Sequence, residues 1–400
     1  MERAELIQLV RATGCTEESG GFIFVCDPKW GAAERATVDT LKKNASERSE
    51  TRNPKSETEQ GWLCVPTGGT SGGVRFARHD ERTLTAAVRG FCAHFGIERV
   101  NAVGVLPPYH VSGLMARVRC AATVGEYLAW EWKQLEAGEW PARRGGDWVL
   151  SLVPTQLQRL LASPAAVDWL RGFRVIFIGG GPVWPELTEA AARLGLPVSL
   201  SYGMTETAAM VAALRPAEFL AGARSSGGAM PHARISLTPD GIVTIAGDSV
   251  FRGYFPDERS AREFETEDLG QLDAQGHLHV LGRRDAVIIS GGKKVQPAEV
   301  EAVLRASGEF DDVAVVGVPD AEWGQAVVAC YAASGREPDA ARVTAALESL
   351  AAFKRPKQYV AVAEWPRNAQ GKLNRVALAD AAAGRGGGSG EKGERRRDGG

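Results

Sequence analysis

Apolar positions along this chain fall into short uninterrupted runs separated by amphipathic stretches. After a short N-terminal helix, Phe22-Ile23-Phe24-Val25 reads as a strand and the residues from about Trp30 to Lys43 as a helix. Asn44 to Gln60 carries no large apolar residue and reads as an exposed, mobile loop. Trp62-Leu63-Cys64-Val65 is strand-like and runs into Thr67-Gly68-Gly69-Thr70-Ser71-Gly72-Gly73. Behind that stretch, Leu84, Ala87, Val88, Phe91, Cys92 and Phe95 recur at helical spacing, with Asp80 as the expected N-cap. From Trp62 to about Leu200, short strands (Asn101–Leu106, Phe173–Ile178, Pro197–Ser201) alternate with helices such as Ser163–Gly172 and Pro185–Leu194. That alternation predicts an α/β unit with a mainly parallel sheet, whose ligands collect at the carboxyl ends of the strands. Each strand ends in an unusual loop: Pro107-Pro108-Tyr109-His110, Gly179-Gly180-Gly181-Pro182, and Tyr202-Gly203-Met204-Thr205-Glu206-Thr207.

The pattern changes over residues 224–281, where the short runs Arg234–Leu237, Ile242–Ile245 and His277–Leu281 surround the turn Pro239-Asp240-Gly241. A small antiparallel subdomain is expected there. From Gly282 onward, strands at Val287–Ser290, Val313–Val318 and Ala326–Tyr331 and helices at Pro297–Leu304 and Ala341–Leu350 predict a compact α+β domain. The expected division is therefore a domain over 1–281, a second over 282–383, and a disordered tail over 384–400 made of glycine, charge and one serine.

With 44% apolar and 24% charged residues and a net charge of −2, the composition is that of a globular protein and gives no reason to expect nucleic acid as a partner. No apolar run reaches the length of a membrane span, and Met1-Glu2-Arg3-Ala4-Glu5 lacks the apolar region of a signal peptide. Six cysteines are scattered without a paired motif, which argues against a zinc site or disulfide framework and fits a reducing cytoplasm.

The hydroxyl-rich glycine stretch admits three readings by itself. Glycines let backbone N–H groups converge on a phosphate, with Thr67, Thr70 and Ser71 as added donors. Val74 follows Gly73 where a P-loop would have lysine. Gly69-Thr70-Ser71-Gly72-Gly73 also fits a nucleophile elbow with Ser71 as the attacking residue, and a glycine-rich surface turn is the third reading.

Taken in order, the motifs from Thr67 to Lys372 resemble those of the adenylate-forming superfamily of acyl- and aryl-CoA ligases, adenylation domains and luciferases. Thr67–Gly73 resembles its phosphate loop, Tyr202–Thr207 its Tyr-Gly-x-Thr-Glu signature, and Glu267-Asp268-Leu269-Gly270 its ribose-binding acid motif. Gly282-Arg283-Arg284-Asp285, Ser290-Gly291-Gly292-Lys293 and Pro297–Glu301 resemble its hinge and the start of its mobile C-terminal domain. Pro366–Arg375 resembles its catalytic-lysine motif.

The resemblance implies ATP-dependent activation of a carboxylate to acyl-AMP, followed by transfer to coenzyme A, with Mg²⁺ as the metal. Lys372, Glu206, Thr205 and His110 become the expected catalytic residues, and Glu206 the metal ligand. Thr67, Gly68, Gly69, Thr70, Ser71, Gly72, Arg75, Gly180, Gly181, Ser201, Tyr202, Gly203, Asp268 and Arg283 become the nucleotide-binding set. Gly291 and Gly292 would admit the pantetheine arm, and Asp285 would be the hinge. The chemistry suits these residue types. Carboxylates take Mg²⁺ and vicinal ribose hydroxyls, and cations meet the charge that develops at the α-phosphate.

Two departures matter. Val74-Arg75-Phe76 stands where the family has Pro-Lys-Gly, and only 66 residues precede Thr67 where the family carries many more. The loop Val-Arg-Phe, Leu106–Met115 and Ile178–Pro182 most resemble the o-succinylbenzoate–CoA ligases of menaquinone or phylloquinone synthesis. That acid's second carboxylate needs a cation, for which Arg117 and Arg119 are the candidates. Rival readings are a serine hydrolase using Ser71 with one of His110, His232, His277 or His279, a non-catalytic nucleotide binder, and an adenylation enzyme loading a carrier protein.

Overall fold

The computed structural model describes residues 1–51, 61–68, 74–310, 312–333, 337–367 and 373–386. Two compact units are present, Met1–Arg284 and Asp285–Gly400. The first opens with α1 (Arg3–Arg11), β1 (Thr16–Ser19), β2 (Phe22–Val25), α2 (Ala32–Thr51), β3 (Leu63–Gly68) and β4 (Val74–His79), whose strands form a sheet in the order β1-β2-β3-β4. The helix α2 runs eight residues beyond Lys43, into the stretch that the sequence assigns to a mobile loop. A small side chain explains the difference. Ala45 is wholly buried, and the Ser19 hydroxyl lies 2.8 Å from both the Lys42 carbonyl and the Ser46 hydroxyl, so the turn docks on β1 without a large apolar residue. Residues 52–60 lie outside the described residues.

The strands β3 and β4 are antiparallel, with Leu63 opposite His79 and Gly68 opposite Val74. The glycine stretch therefore joins two strands of a hairpin, and the expected strand–loop–helix order is overturned. Val74–His79, buried at every position except Arg75, reads only as the approach to a helix until its pairing is seen. A hairpin lacks the helix N-terminus of that phosphate-binding arrangement and the strand-to-helix turn of a Ser71 elbow. Gly69, Thr70, Ser71, Gly72 and Gly73 themselves lie outside the described residues.

The helix α3 (Glu81–Phe95) starts where expected. Asp80 accepts hydrogen bonds from the Arg82 and Thr83 N–H groups at 3.1 and 3.0 Å, and Leu84, Ala87, Val88, Phe91 and Phe95 face the core. Next come β5 (Asn101–Gly104), α4 (Val111–Ala122), β6 (Tyr127–Ala129), α5 (Trp132–Glu136), β7 (Trp148–Leu152), α6 (Pro154–Leu161), α7 (Pro164–Arg171), β8 (Val175–Ile178), α8 (Pro185–Arg193) and β9 (Val198–Met204). A turn at Thr205–Thr207 leads to β10 (Ala209–Ala213), α9 (Pro216–Leu220) and β11 (Gly228–Ala229). These strands form one sheet in the order β11-β10-β9-β8-β7-β5-β6, parallel from β9 to β6, with β10 and β11 antiparallel at one edge. Helices cover such a sheet on both faces, which is why all four residues of β8 are buried. The loops after β5, β8 and β9 thus leave carboxyl ends of parallel strands, as the sequence predicts. The glycine hairpin belongs to a different sheet.

The third sheet, β12 (Ala233–Leu237), β13 (Ile242–Gly247), β14 (Glu263–Leu272) and β15 (Leu278–Arg283), is antiparallel as expected. Its β14 carries Asp268.

The second unit holds β16 (Ile288–Ser290), β17 (Lys293–Val295), α10 (Pro297–Ala306), β18 (Val313–Asp320), β19 (Gly324–Ala332), α11 (Ala340–Leu347), β20 (Gln358–Val362) and α12 (Arg375–Gly386). Its strands run β17-β16-β19-β18, with β20 added beside β19. Val300, Leu304, Val313, Val315, Val327 and Ala329 form the core between α10 and the sheet. The helix α12 passes Gly384, where the sequence reading begins its disordered tail, and residues 387–400 lie outside the described residues.

Candidate active site

Two polar clusters meet on β9 and the turn that follows it. In the first, Glu206 is 6% exposed, and its Oε1 accepts hydrogen bonds from the Tyr254 hydroxyl at 2.7 Å and the Thr67 hydroxyl at 3.1 Å. Thr67 and Arg75 stand opposite each other in the β3–β4 ladder, so their side chains share one face. The Arg75 guanidinium lies 4.3 Å from the centre of the Tyr254 ring. Burial and the adjacent Glu206 carboxylate raise the pKa of Tyr254, keeping its hydroxyl a donor. The structure thus gathers three predicted residues, Thr67, Arg75 and Glu206, around Tyr254, which the sequence reading missed. No local pattern marks that tyrosine, because Arg252-Gly253-Tyr254 looks like any turn.

In the second cluster, the Tyr202 hydroxyl donates to Asp268 Oδ2 at 2.7 Å, and Arg283 Nη1 lies 3.7 Å from Asp268 Oδ1. Asp268 and Arg283 are direct cross-strand partners on β14 and β15. Burial, then the Asp268 charge, raises the Tyr202 pKa.

Thr205 begins the turn, and its carbonyl is held from behind. The Nε2–H of His79 donates to it at 2.7 Å, while Nδ1 lies 3.1 Å from the Thr83 hydroxyl. His79 is wholly buried, and burial lowers its pKa to about 4. Between the ordinary value of 6.5 and about 4 the unfolded chain binds a proton that the folded one refuses, so stability falls as pH falls through that window. By pH 4 the loss should reach about 3 kcal/mol, and a His79→Gln variant should show a flatter decline in urea midpoint between pH 6.5 and 4.

Ser201 and Gly203 lie on β9. A Cβ on Gly203 would sit 2.0 Å from the Ala209 carbonyl oxygen, so the close β9–β10 approach before the Thr-Glu turn admits only glycine. Gly180 and Gly181 form the turn after β8, and His110 occupies the N-cap position of α4 with its ring 4.9 Å from that of Tyr109. Gly68 ends β3. In the second unit, Gly291 lies in the β16–β17 turn beneath the Trp323 indole, where a Cβ would come within 3.0 Å of the ring, and Gly292 follows with positive φ. Asp285 falls in the short turn Arg284–Ala286, at the boundary between the units. Gly69, Thr70, Ser71, Gly72 and Lys372 lie outside the described residues.

The candidates for a second-carboxylate partner differ from each other. Arg119 is 4% exposed, its guanidinium lies 4.4 Å from the Phe91 ring centre, and its Nε has no hydrogen-bond partner among the described residues. Burial lowers its pKa to about 10, which leaves it cationic at neutral pH. The Arg117 Nε likewise has no hydrogen-bond partner among the described residues, but Arg117 is only partly buried, with its guanidinium 4.5 Å from the centre of the Tyr127 ring.

Residues 5–255 match the AMP-binding enzyme family and residues 299–372 the AMP-binding enzyme C-terminal domain, so the chain belongs to the AMP-binding enzyme family. More particularly, it is 34% identical over 331 residues to 2-succinylbenzoate–CoA ligase of Geobacillus kaustophilus, covering 78% of this chain and 67% of the relative. Among solved structures, o-succinylbenzoate CoA synthetase of Bacillus subtilis with its acyl-adenylate intermediate OSB-AMP superposes with a TM-score of 0.71 at 27% identity, over 84% of this chain and 73% of the other. The same enzyme with ATP and a magnesium ion gives a TM-score of 0.72 at 25% identity, over 89% of this chain and 83% of the other. No helix among the described residues is long and apolar enough to cross a membrane.

Proposed function

We propose that this protein is an AMP-forming ligase that activates o-succinylbenzoate with ATP and transfers the acyl group to coenzyme A, as a step in menaquinone or phylloquinone synthesis. The observation that carries the reading is the pair of clusters on β9 and the turn after it: Glu206 with Thr67, Arg75 and Tyr254, and Asp268 with Tyr202 and Arg283. The first presents a buried carboxylate whose hydrogen-bond partners among the described residues are neutral hydroxyls, on Oε1 alone. A hard divalent cation suits that arrangement, with its remaining ligands drawn from phosphate oxygens and water. Such a cation would neutralise the phosphates and draw electron density from the α-phosphorus.

The residues of the chain do the rest. Arg75 adds positive charge beside the hairpin loop, and Asp268 can accept from both ribose hydroxyls, with Arg283 at its side. A carboxylate oxygen of the substrate forms a bond to the α-phosphorus while the bond to the β-phosphate oxygen breaks, releasing pyrophosphate. Lys372 meets the charge developing there. In the second half-reaction the CoA sulfur, having lost its proton, attacks the acyl carbonyl and AMP leaves with the electrons of the broken C–O bond. Lys372 has no task in that half, so the second unit turns about Asp285 to present the Gly291-Gly292 edge to the pantetheine arm. Six free cysteines support a reducing, cytoplasmic setting.

Arg119 is assigned to the second carboxylate, because a buried guanidinium without a carboxylate partner among the described residues has an unmet need for an anion. The test is pyrophosphate release with ATP, Mg²⁺ and a panel of aryl and acyl carboxylates, with CoA or a carrier protein as acceptor. Release specific to o-succinylbenzoate with a CoA thioester as product is expected, and the absence of release with every acid in the panel would sink the reading. In Arg119→Gln the KM for the dicarboxylate should rise about thirtyfold or more, and for a monocarboxylate such as benzoate far less. Equal rises would remove Arg119 from that role.

A further inference from the structure

The second unit contains a nearly inaccessible carboxylate that the clusters above do not use. Glu301 on α10 is 1% exposed, and its Oε1 accepts from the Val315 N–H at 2.8 Å and from Arg375 Nη1 at 2.6 Å. Arg305 Nη1 lies 3.8 Å from its other oxygen. Arg375 Nη1 also donates to the Val315 carbonyl at 2.9 Å. The strand β18 ends its sheet, so the outward N–H and C=O of Val315 have no strand to pair with. Glu301 and Arg375 supply that pairing with side chains, donor to acceptor on both sides.

Arg375 opens α12 and stands three residues after Lys372. On the other side of the lysine segment, Arg367 forms an isolated bridge with Leu373, and the Asn374 N–H donates to the Pro366 carbonyl at 2.8 Å. The Asn374 side chain accepts from the Ala377 N–H at 3.1 Å and so caps the helix that Arg375 begins. Both ends of the segment carrying Lys372 are therefore tied together, and the base so formed is bolted to α10 and β18 through one guanidinium.

We infer that the Glu301–Arg375 pair positions Lys372 for the adenylation half-reaction: Glu301 and Arg375 touch no substrate and act through the placement of the lysine. The inference rests on the role given to Lys372 above. A planar guanidinium suits the task, since it meets a carboxylate and a carbonyl at once in fixed directions, which an ammonium on a flexible stem does not. A displacement of about 1 Å at a reacting group can cost about a hundredfold in rate.

The test separates the half-reactions in the full chain. ATP–pyrophosphate exchange with o-succinylbenzoate reports adenylation, and thioester formation from synthetic o-succinylbenzoyl-AMP and CoA reports transfer. Arg375→Ala should lower exchange about a hundredfold while transfer is unchanged. Arg375→Lys keeps the charge opposite Glu301 and should retain a cooperative melting transition with most of the same loss. Leu347→Ala, a core change on α11, serves as a control of lowered stability and should leave both half-reactions alike. Equal losses in both half-reactions, the same split in Leu347→Ala, or unchanged exchange in the Arg375 variants would each overturn the inference. Lys372→Ala tells the two levels apart. If it retains exchange, the reading of Lys372 fails and takes the inference with it; if it loses exchange while Arg375→Ala does not, only the inference fails.

Discussion

Glu206→Gln is expected to lower ATP-dependent pyrophosphate release between about a hundredfold and a thousandfold while leaving the fold intact. The amide oxygen of glutamine can still accept from the Thr67 and Tyr254 hydroxyls, which now meet at Oε1, so the turn keeps its hydrogen bonds. What disappears is the negative charge, and with it the electrostatic reason for this turn to hold the divalent cation proposed above. Titrating Mg²⁺ at saturating ATP distinguishes the roles. Loss of a metal ligand shifts the magnesium requirement upward, and high magnesium then restores part of the rate. A rate that drops with no shift in that requirement would instead place Glu206 in the hydrogen-bond scaffold alone, and full activity at ordinary magnesium would remove it from the mechanism.

The largest expected effect on stability belongs to Asp80, one residue from His79. Its Oδ1 accepts from the Arg82 and Thr83 N–H groups and from Arg252 Nη2 at 3.2 Å, while Oδ2 accepts from Arg252 Nε at 2.7 Å. Asp80 is 2% exposed and Arg252 8%, so one carboxylate both caps α3 and neutralises a buried guanidinium. Asp80→Ala removes the cap and strands the cation, which should cost about 3–5 kcal/mol in a urea titration. Asp80→Asn retains a capping oxygen and isolates the charge. The pH dependence follows. Burial alone would raise the Asp80 pKa, but the hydrogen bonds from Arg252 and the Thr83 N–H outweigh it and hold it below the ordinary value. The stabilisation is present above the unfolded pKa, near 3.9, and is lost as pH falls through the folded value. Acid unfolding of the parent should thus have two parts, the His79 decline below 6.5 and a further loss below about 4, and the second should shrink in Asp80→Ala. Because Arg252 begins the Arg252-Gly253-Tyr254 run, with its own N–H bonded to the Arg78 carbonyl at 2.8 Å, the same variant should also loosen Tyr254 against Glu206.

The amino-acid sequence by itself determined the elements whose causes are local. Periodicity placed α3, and Asp80 caps it through neighbours two and three residues away. Apolar runs marked β5 and β8, since strands of a covered parallel sheet are buried on both faces, while β9, where Ser199 and Ser201 alternate with Val198 and Leu200, was placed by its position in the strand–helix alternation. The ordered motifs also named Thr67, Arg75, Glu206, Tyr202, Asp268 and Arg283, residues the fold brings into two clusters.

Only the tertiary structure decided what depends on partners far along the chain. The strand Val74–His79 was hidden because its burial alternates with nothing local, and its identity as a hairpin arm comes from pairing with β3. The helix α2 outran its apolar pattern because a wholly buried alanine, Ala45, packs as tightly as a large residue where the backbone comes close. His79, Tyr254 and Arg252 carry no motif; they matter because folding sets them against Thr205, Glu206 and Asp80, with sequence separations of 126, 48 and 172 residues. A sequence records which side chains are available for such contacts, but hydrogen bonds and ion pairs act over a few ångströms of space, and that distance is set by the packing of the whole unit.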